Sequence, residues 1–302
     1  MKIASRDRAD TAGLARFYNE QVVRVPHCYP VSPEEFEAGL HTRKEEDKHC
    51  KHLHADEALV SEEDGEILGF AHTAMGELEV NGQTIRGGLI RFLAYRPGHR
   101  AIGQALLTAC EHHVRELGAE RIWAFQKHAG YPFYHLGFGN LSDRLGHVYA
   151  LLRMNGYDPD DGEIFLEQQD FVAAEPTPPD AAADIVVQEQ VGSGTLPGLT
   201  VRALAGGKQI AACTCGSAGA CCRAPQAQDT FFVRWLGVEP EHQGKGWGRY
   251  LLARAQCEMR RIGYRNAVIS TDWRNHRALL FYTNYGFRVT DTVYGLVKHG
   301  QD

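Results

Sequence analysis

The chain has 302 residues, 43% hydrophobic and 23% charged, an ordinary globular composition with room for two domains of about 150 residues. A formal charge of −6 argues against a nucleic-acid binder, and no apolar run approaches the roughly 20 residues of a membrane span. Residues 1–7 have no apolar signal core, so a cytoplasmic protein is expected, with its eight cysteines reduced.

Residues 2–6 read as a first strand, and Leu14, Phe17, Tyr18 and Val22 form a helical stripe over 10–22. Pro26 and Pro30 break the chain. Ser32-Pro33-Glu34-Glu35 starts a second helix, with Ser at the N-cap and Pro at N1, running to about Arg43. The charged stretch 43–54 holds His49, Cys50, His52 and His54, with His41 upstream. Without carboxylate-supported ligand spacing it reads as a polar helix end or loop. Residues 58–61 and 67–74 are predicted strands around a turn at 63–66, and Asn81-Gly82 marks another hairpin. An apolar strand at 88–95 leads through Arg100-x-x-Gly103-x-Ala105 into a helix ended by Gly118. A strand follows at 121–126. Residues 127–146 are irregular and aromatic, 147–154 helical, and 163–167 a strand. The Pro-rich segment 176–183 reads as a linker between domains at 1–175 and 184–302.

The second half opens with a strand at 185–187 and a hairpin over 199–204 and 209–215. Cys213, Cys215, Cys221 and Cys222 lack the paired C-x2-C knuckles of a structural zinc site. Reduced thiols in and beside a strand are expected, with metal or redox chemistry as the alternative. A strand over 231–238 runs into the turn Gln243-Gly244-Lys245-Gly246-Trp247-Gly248-Arg249 and a helix that ends at Gly263. A strand, a glycine turn and a helix N-terminus together form an anion site, because the first helical N–H groups lack partners and glycine lets a phosphate approach. A strand at 267–270, a helix over 275–285 closed by Gly286-Phe287 and a strand at 293–297 complete the chain.

The halves repeat one order of elements, with Gly103 and Gly246 offset by 143 and the helix-ending Gly118 and Gly263 by 145. Two stretches of the first half resemble 278–287, namely 133–138 and 150–157. The second match is preferred because a final strand follows it, which makes 127–146 an insertion.

The chain resembles the GNAT superfamily of acyl-CoA-dependent N-acetyltransferases. Gln243-x-x-Gly246-x-Gly248 is similar to the family's phosphate motif. Asn275-x-x-Ala278-x-x-x-Tyr282 with Gly286-Phe287 is similar to its second motif. The resemblance covers nearly all of the second half, and the tandem layout is similar to mycothiol synthase. It implies a mixed α/β (α+β) fold of two tandem domains, each a twisted, mostly antiparallel sheet with a splayed central strand pair flanked by helices. It also implies acetyl-CoA as co-substrate and no metal. Acyl transfer would then proceed to a primary amine of a small-molecule or peptide acceptor, by direct attack in a ternary complex. A non-catalytic acyl-CoA-binding or sensing protein is the alternative.

By the resemblance, Leu236, Gly237 and Val238 meet the pantetheine arm, and the Val238 N–H is the oxyanion donor. Gln243, Gly244, Lys245, Gly246, Trp247, Gly248 and Arg249 hold the pyrophosphate, and Asn275 orients the cofactor or caps its helix. Tyr282 matches the thiol-protonating tyrosine. Val233 stands where the family often carries a glutamate base, so Asp272 is the first substitute, with Asp229 or a water chain as others. The first copy lacks counterparts of Lys245 and of two glycines, and Leu152 replaces the tyrosine. It is expected to be degenerate.

Overall fold

A computed structural model describes residues 3–6, 11–41, 50–192 and 194–299. Packing divides the chain into two compact units, Met1–Glu163 with Asp291–Asp302, and Ile164–Thr290.

The first unit begins with β1 (Ile3–Ser5), α1 (Thr11–Val22) and α2 (Pro33–His41). Ser32 and Glu35 close a reciprocal capping box at the start of α2, each backbone N–H meeting the other's side chain at 3.2 Å. Next come β2 (Cys50–Glu63), β3 (Glu66–Val80), β4 (Gln83–Tyr95), α3 (Arg100–Glu116) and β5 (Arg121–Ala124). Asp64-Gly65 and Asn81-Gly82, all at positive φ, make the two tight hairpins, as Asn-Gly and Asp-Gly turns do. The predicted loop at 43–54 is strand from Cys50 onward, with register shifts around His54 and positive φ at His52 and Ala55; His49 lies outside the described residues. The sheet runs β1-β2-β3-β4-β5, antiparallel except for the parallel β4–β5 pair. Short β6 (Leu141–Ser142), α4 (Gly146–Met154) and the start of β7 (Asp158–Gln168) follow.

The second unit holds the end of β7, then β8 (Asp184–Gln190), β9 (Gly198–Ala205), β10 (Lys208–Ser217), a short α5 (Pro225–Gln228) and β11 (Thr230–Val238). It closes with α6 (Trp247–Ile262), β12 (Asn266–Asp272), α7 (His276–Tyr285) and the start of β13 (Arg288–Lys298). Its sheet runs β12-β11-β10-β9-β8, antiparallel except for the parallel β11–β12 pair. The buried stripe of α6, including Tyr250, Leu251, Leu252, Ala255 and Met259, packs with Leu199, Val201, Cys213 and Phe231.

Two long-range pairings lie beyond sequence reading. The end of β13 does not close the second unit; Leu296 and Val297 pair with Ala124 and Trp123 of β5 in the first. Packing also does not divide the chain at 176–183. Phe171 is buried in the second core, and Glu175 forms ion pairs with Arg254 and Arg261 of α6.

The ends of α4 and α7 close alike. The N–H groups of Gly156 and Tyr157 return to Arg153 and Leu152, as those of Gly286 and Phe287 return to Thr283 and Tyr282. Segment 133–138 is instead a buried turn, with His135 and Leu136 at positive φ.

Candidate active site

The site lies in the second unit, where β11 outruns its parallel partner. β12 pairs with β11 only from Thr230 to Val233, while β11 continues to Val238. The Glu239 N–H donates to Ile210 of β10 at 2.9 Å. Backbone groups alternate sides along a strand, so those of Val238 and Leu236 face away from β10, into the slot that β12 leaves. The expected splay is therefore a short pairing register followed by an unpaired edge.

Past Val238 a short turn at Pro240–His242 leads to the glycines. Gly244 and Gly246 have φ of 74° and 92°, and Gly246 is the left-handed N-cap of α6. A side chain there would be strained, which explains both glycines. The backbone N–H groups of 244–249 meet no acceptor among the described residues, while Tyr250 N–H closes the first turn on Gly246 at 3.0 Å. Six backbone donors gather at the positive end of a 16-residue helix, with Arg249 in its first turn. The arrangement suits a multiply charged anion.

The slot and this cradle open into one cavity of about 500 Å³. Its walls include Leu236, Val238, Gln243, Gly244, Gly246, Trp247, Gly248, Arg249, Asn275 and Tyr282, drawn from β11, the turn, α6 and α7. Gly237 is half-exposed on β11 beside it, and Lys245 lines a second groove of about 550 Å³ with Pro179 and Tyr285. Gln243 sits between two partners. Its amide donates to the Val238 carbonyl at 3.0 Å and accepts from Arg277 at 3.1 Å. The Asn275 side chain accepts from the Ala278 N–H at 3.1 Å, so this residue caps α7 while lining the cavity. Arg249 lies 5.5 Å from the Tyr285 ring, whose phenol burial pushes up to about 12.

Tyr282 is buried on α7 between Phe281 and Phe287, at the cavity wall. Asp272 is not brought to that wall. It is exposed and accepts from the Arg274 N–H at 2.8 Å, the work of a turn-capping aspartate. Asp229 is not on that wall either; its carbonyl accepts from the Arg265 and Asn266 N–H groups and its carboxylate from the Asn266 amide, at the start of β12. Among the described residues no Asp or Glu lines the cavity. Ala278 of the second motif lines it too, and sequence reasoning missed His242, Arg277 and Phe281, which also do. Arg277 and Phe281 were legible only in outline, each one residue before a motif position, Ala278 and Tyr282.

The equivalent place in the first unit is filled. There β4 pairs with β5 from Gly87 to Ile90, and the residues beyond are packed in aromatics. Buried Arg91 donates to Ala129 and Leu40 and lies 5.3 Å from the Tyr131 ring. Phe92 packs against Phe125, Tyr131 and Tyr134, so the 127–146 segment serves as core. The turn differs too. α3 is already helical at Arg100, and the His99 carbonyl accepts from Ile102 and Gly103. Gly103 is a glycine because Tyr95 leaves no room, an added Cβ falling 2.4 Å from its ring.

The cysteines form no comparable site. Cys213 and Cys215 are buried with sulfurs 3.9 Å apart, and no group of three or more metal-type side chains occurs among the described residues. No helix among them is long and apolar enough to cross a membrane.

Comparison with known proteins matches residues 200–289 to the acetyltransferase (GNAT) domain and residues 20–138 to the acetyltransferase (GNAT) family. No curated protein matches the chain. Among solved structures it is similar to a GCN5-related glucosamine N-acetyltransferase region of a fungal multi-domain GH3 beta-N-acetylglucosaminidase. Identity is 16%, the TM-score 0.68, and the match covers 98% of this chain but only 38% of that one. It is similar over its whole length to a tandem GNAT protein from the clavulanic acid biosynthesis pathway, at 13% identity and TM-score 0.67, covering 99% of that chain. A GCN5-related N-acetyltransferase from Sphaerobacter thermophilus follows at 15% identity and TM-score 0.61, with 99% and 95% coverage. At such identities the structural likeness is one of fold, and together with the two sequence matches it makes this chain a member of the GNAT superfamily with two GNAT domains in tandem.

Proposed function

We propose that the second unit transfers an acetyl or similar short acyl group from acyl-CoA to a primary amine, and that the first copy is degenerate. One observation carries the reading. Four separate segments converge on a single cavity that joins an unpaired strand edge to a helix N-terminus ringed by free N–H groups. Acyl-CoA has the matching parts, a pyrophosphate joined to an amide-bearing arm. The pyrophosphate lies on 244–249. The arm runs back along β11, pairing with Leu236 and Val238, and brings the thioester toward the point where β11 and β12 separate.

In the reaction the neutral amine nitrogen attacks the thioester carbon. A C–N bond forms, the C–S bond breaks, and the oxyanion is held by backbone N–H at Val238. Tyr282 gives its phenolic proton to the leaving thiolate, the ammonium proton leaves to water, and the tyrosinate takes a proton back from water. With no carboxylate among the described residues of the cavity wall, the acceptor arrives already neutral or sheds its proton through a water chain.

The missing carboxylate equally favours a second reading, a binding or sensing module that holds acyl-CoA without turnover. Thiol release decides between them. Purified protein with acetyl-CoA and a panel of amines must liberate free CoA only with a suitable amine. Binding without release from any amine overturns transfer. Titration of acetyl-CoA into Gly246→Glu and Arg100→Glu variants tests the assignment of copies. Loss of binding in the second variant alone reverses it.

A further inference from the structure

We propose that Trp235 is the platform on which the acceptor rests, and that the acceptor is an amino sugar. This rests on the transfer reading above. β10 and β11 pair with a bulge: Cys215 lies opposite Val233 and Thr214 opposite Trp235, leaving Arg234 as the extra residue. A bulge of this kind aims two consecutive side chains at one face of the sheet. Arg234 lies over Gly216, where an added Cβ would fall 2.3 Å from its Nε, and Trp235 lies over Gly237, where a Cβ would fall 2.7 Å from the indole. Trp235 is 66% exposed, a large apolar ring left in water two residues beyond the last β11–β12 pair. On the transfer reading the thioester points toward that end of β11, where Trp235 stands next to Leu236 of the cavity wall.

The same face continues as a polar row in strict register. Gln188, Thr200, Thr214 and Trp235 stand opposite one another across β8, β9, β10 and β11. The two threonine hydroxyls are 3.2 Å apart; Thr200 is buried and also accepts from the Gln190 amide, so the half-buried Thr214 is the hydroxyl on offer, and Arg202 donates to Gln188 at 2.8 Å. Residues 191–197 join β8 to β9 with no helix among the described ones, where α1 and α2 follow β1 in the first unit.

The chemistry selects the acceptor. One exposed indole face with hydroxyl, amide and guanidinium groups beside it suits a saturated ring with an apolar face and hydroxyl-bearing edges, half in water. A flat aromatic amine would need an apolar enclosure on both faces. Arg202 and Arg234, with no carboxylate among the described residues of the row, disfavour polyamines and lysine-rich peptides.

The test uses the full chain with acetyl-CoA and D-glucosamine, against spermidine and a lysine peptide. CoA release is expected with glucosamine. Trp235→Ala should raise its KM about tenfold or more and leave acetyl-CoA affinity unchanged, and Trp235→Tyr should restore most of the loss. An unchanged glucosamine KM in Trp235→Ala overturns the proposal, as does release with spermidine or peptide but not with the sugar. Direct binding separates this idea from the transfer reading. Glucosamine should shift one indole N–H resonance that is missing from Trp235→Ala. A shift without turnover by any amine retains the sugar platform and rejects transfer, whereas no shift rejects the platform.

Discussion

Gly103 and Gly246 occupy equivalent places in the two copies, and both are glycine for opposite reasons. At Gly246 the backbone is left-handed, with φ of 92°, and the nearest atom to an added Cβ is Pro179 Cγ at 3.5 Å. There is room and no permitted conformation. At Gly103 the backbone is that of the α3 helix, and an added Cβ falls 2.4 Å from the Tyr95 ring. The conformation is ordinary and there is no room. Tyr95 cannot easily give way, because it is buried, its hydroxyl donates to the His147 carbonyl at 3.0 Å and its ring lies 4.8 Å from the His147 ring. Gly246→Ala should therefore cost about 1–2 kcal/mol for a left-handed L-residue, and Gly246→Asn less, because Asn visits that region more readily. Gly103→Ala should cost about 1–3 kcal/mol from overpacking, reduced by the roughly 1 kcal/mol by which Ala outranks Gly in a helix. Gly103→Asn, being larger, should cost more. The order of the two residues inverts between the sites. Thermal melts of the four variants read the costs, at about 2–4 °C per kcal/mol for units of this size. Titration with acetyl-CoA should find weakened binding only in the Gly246 pair. The reasoning fails if Gly103→Ala melts with wild type, or if Asn costs more than Ala at 246.

Two other changes probe the chemistry and the first core. Tyr282→Phe keeps the ring and removes the proton donor, so turnover should fall about 100-fold with acetyl-CoA affinity preserved; an unchanged rate assigns Tyr282 to packing. His27 is held neutral in the first unit, its pKa lowered to about 3 by burial and by nearby His135. The unfolded chain takes up this proton near pH 6.5, so stability falls as pH drops from there toward 3, by about 2 kcal/mol at pH 5. His27→Gln should flatten that part of the stability profile measured by urea denaturation between pH 7 and 5, and an unchanged slope would place the acid sensitivity elsewhere.

The parts of this protein that were legible in the sequence are those set by neighbours along the chain. Gly244 and Gly246 mark a left-handed turn before a helix, Ser32 and Glu35 a capping box, and Asn275 and Gly286 the two ends of α7. Each follows from a backbone preference that acts over a few residues. The repeat order likewise reads directly, since hydrophobic period and glycine stops survive sequence drift. What only the tertiary structure decided depends on residues far apart. Whether a glycine turn is a cradle or a packed helix start turns on Tyr95 in one copy and open space in the other. Asp272 has the position of a base, but its carboxylate is drawn into a turn by the Arg274 N–H. The last strand was expected to end the second domain, yet Leu296 to Lys298 pair with β5, because an unpaired strand edge accepts any segment whose register and side-chain alternation fit it.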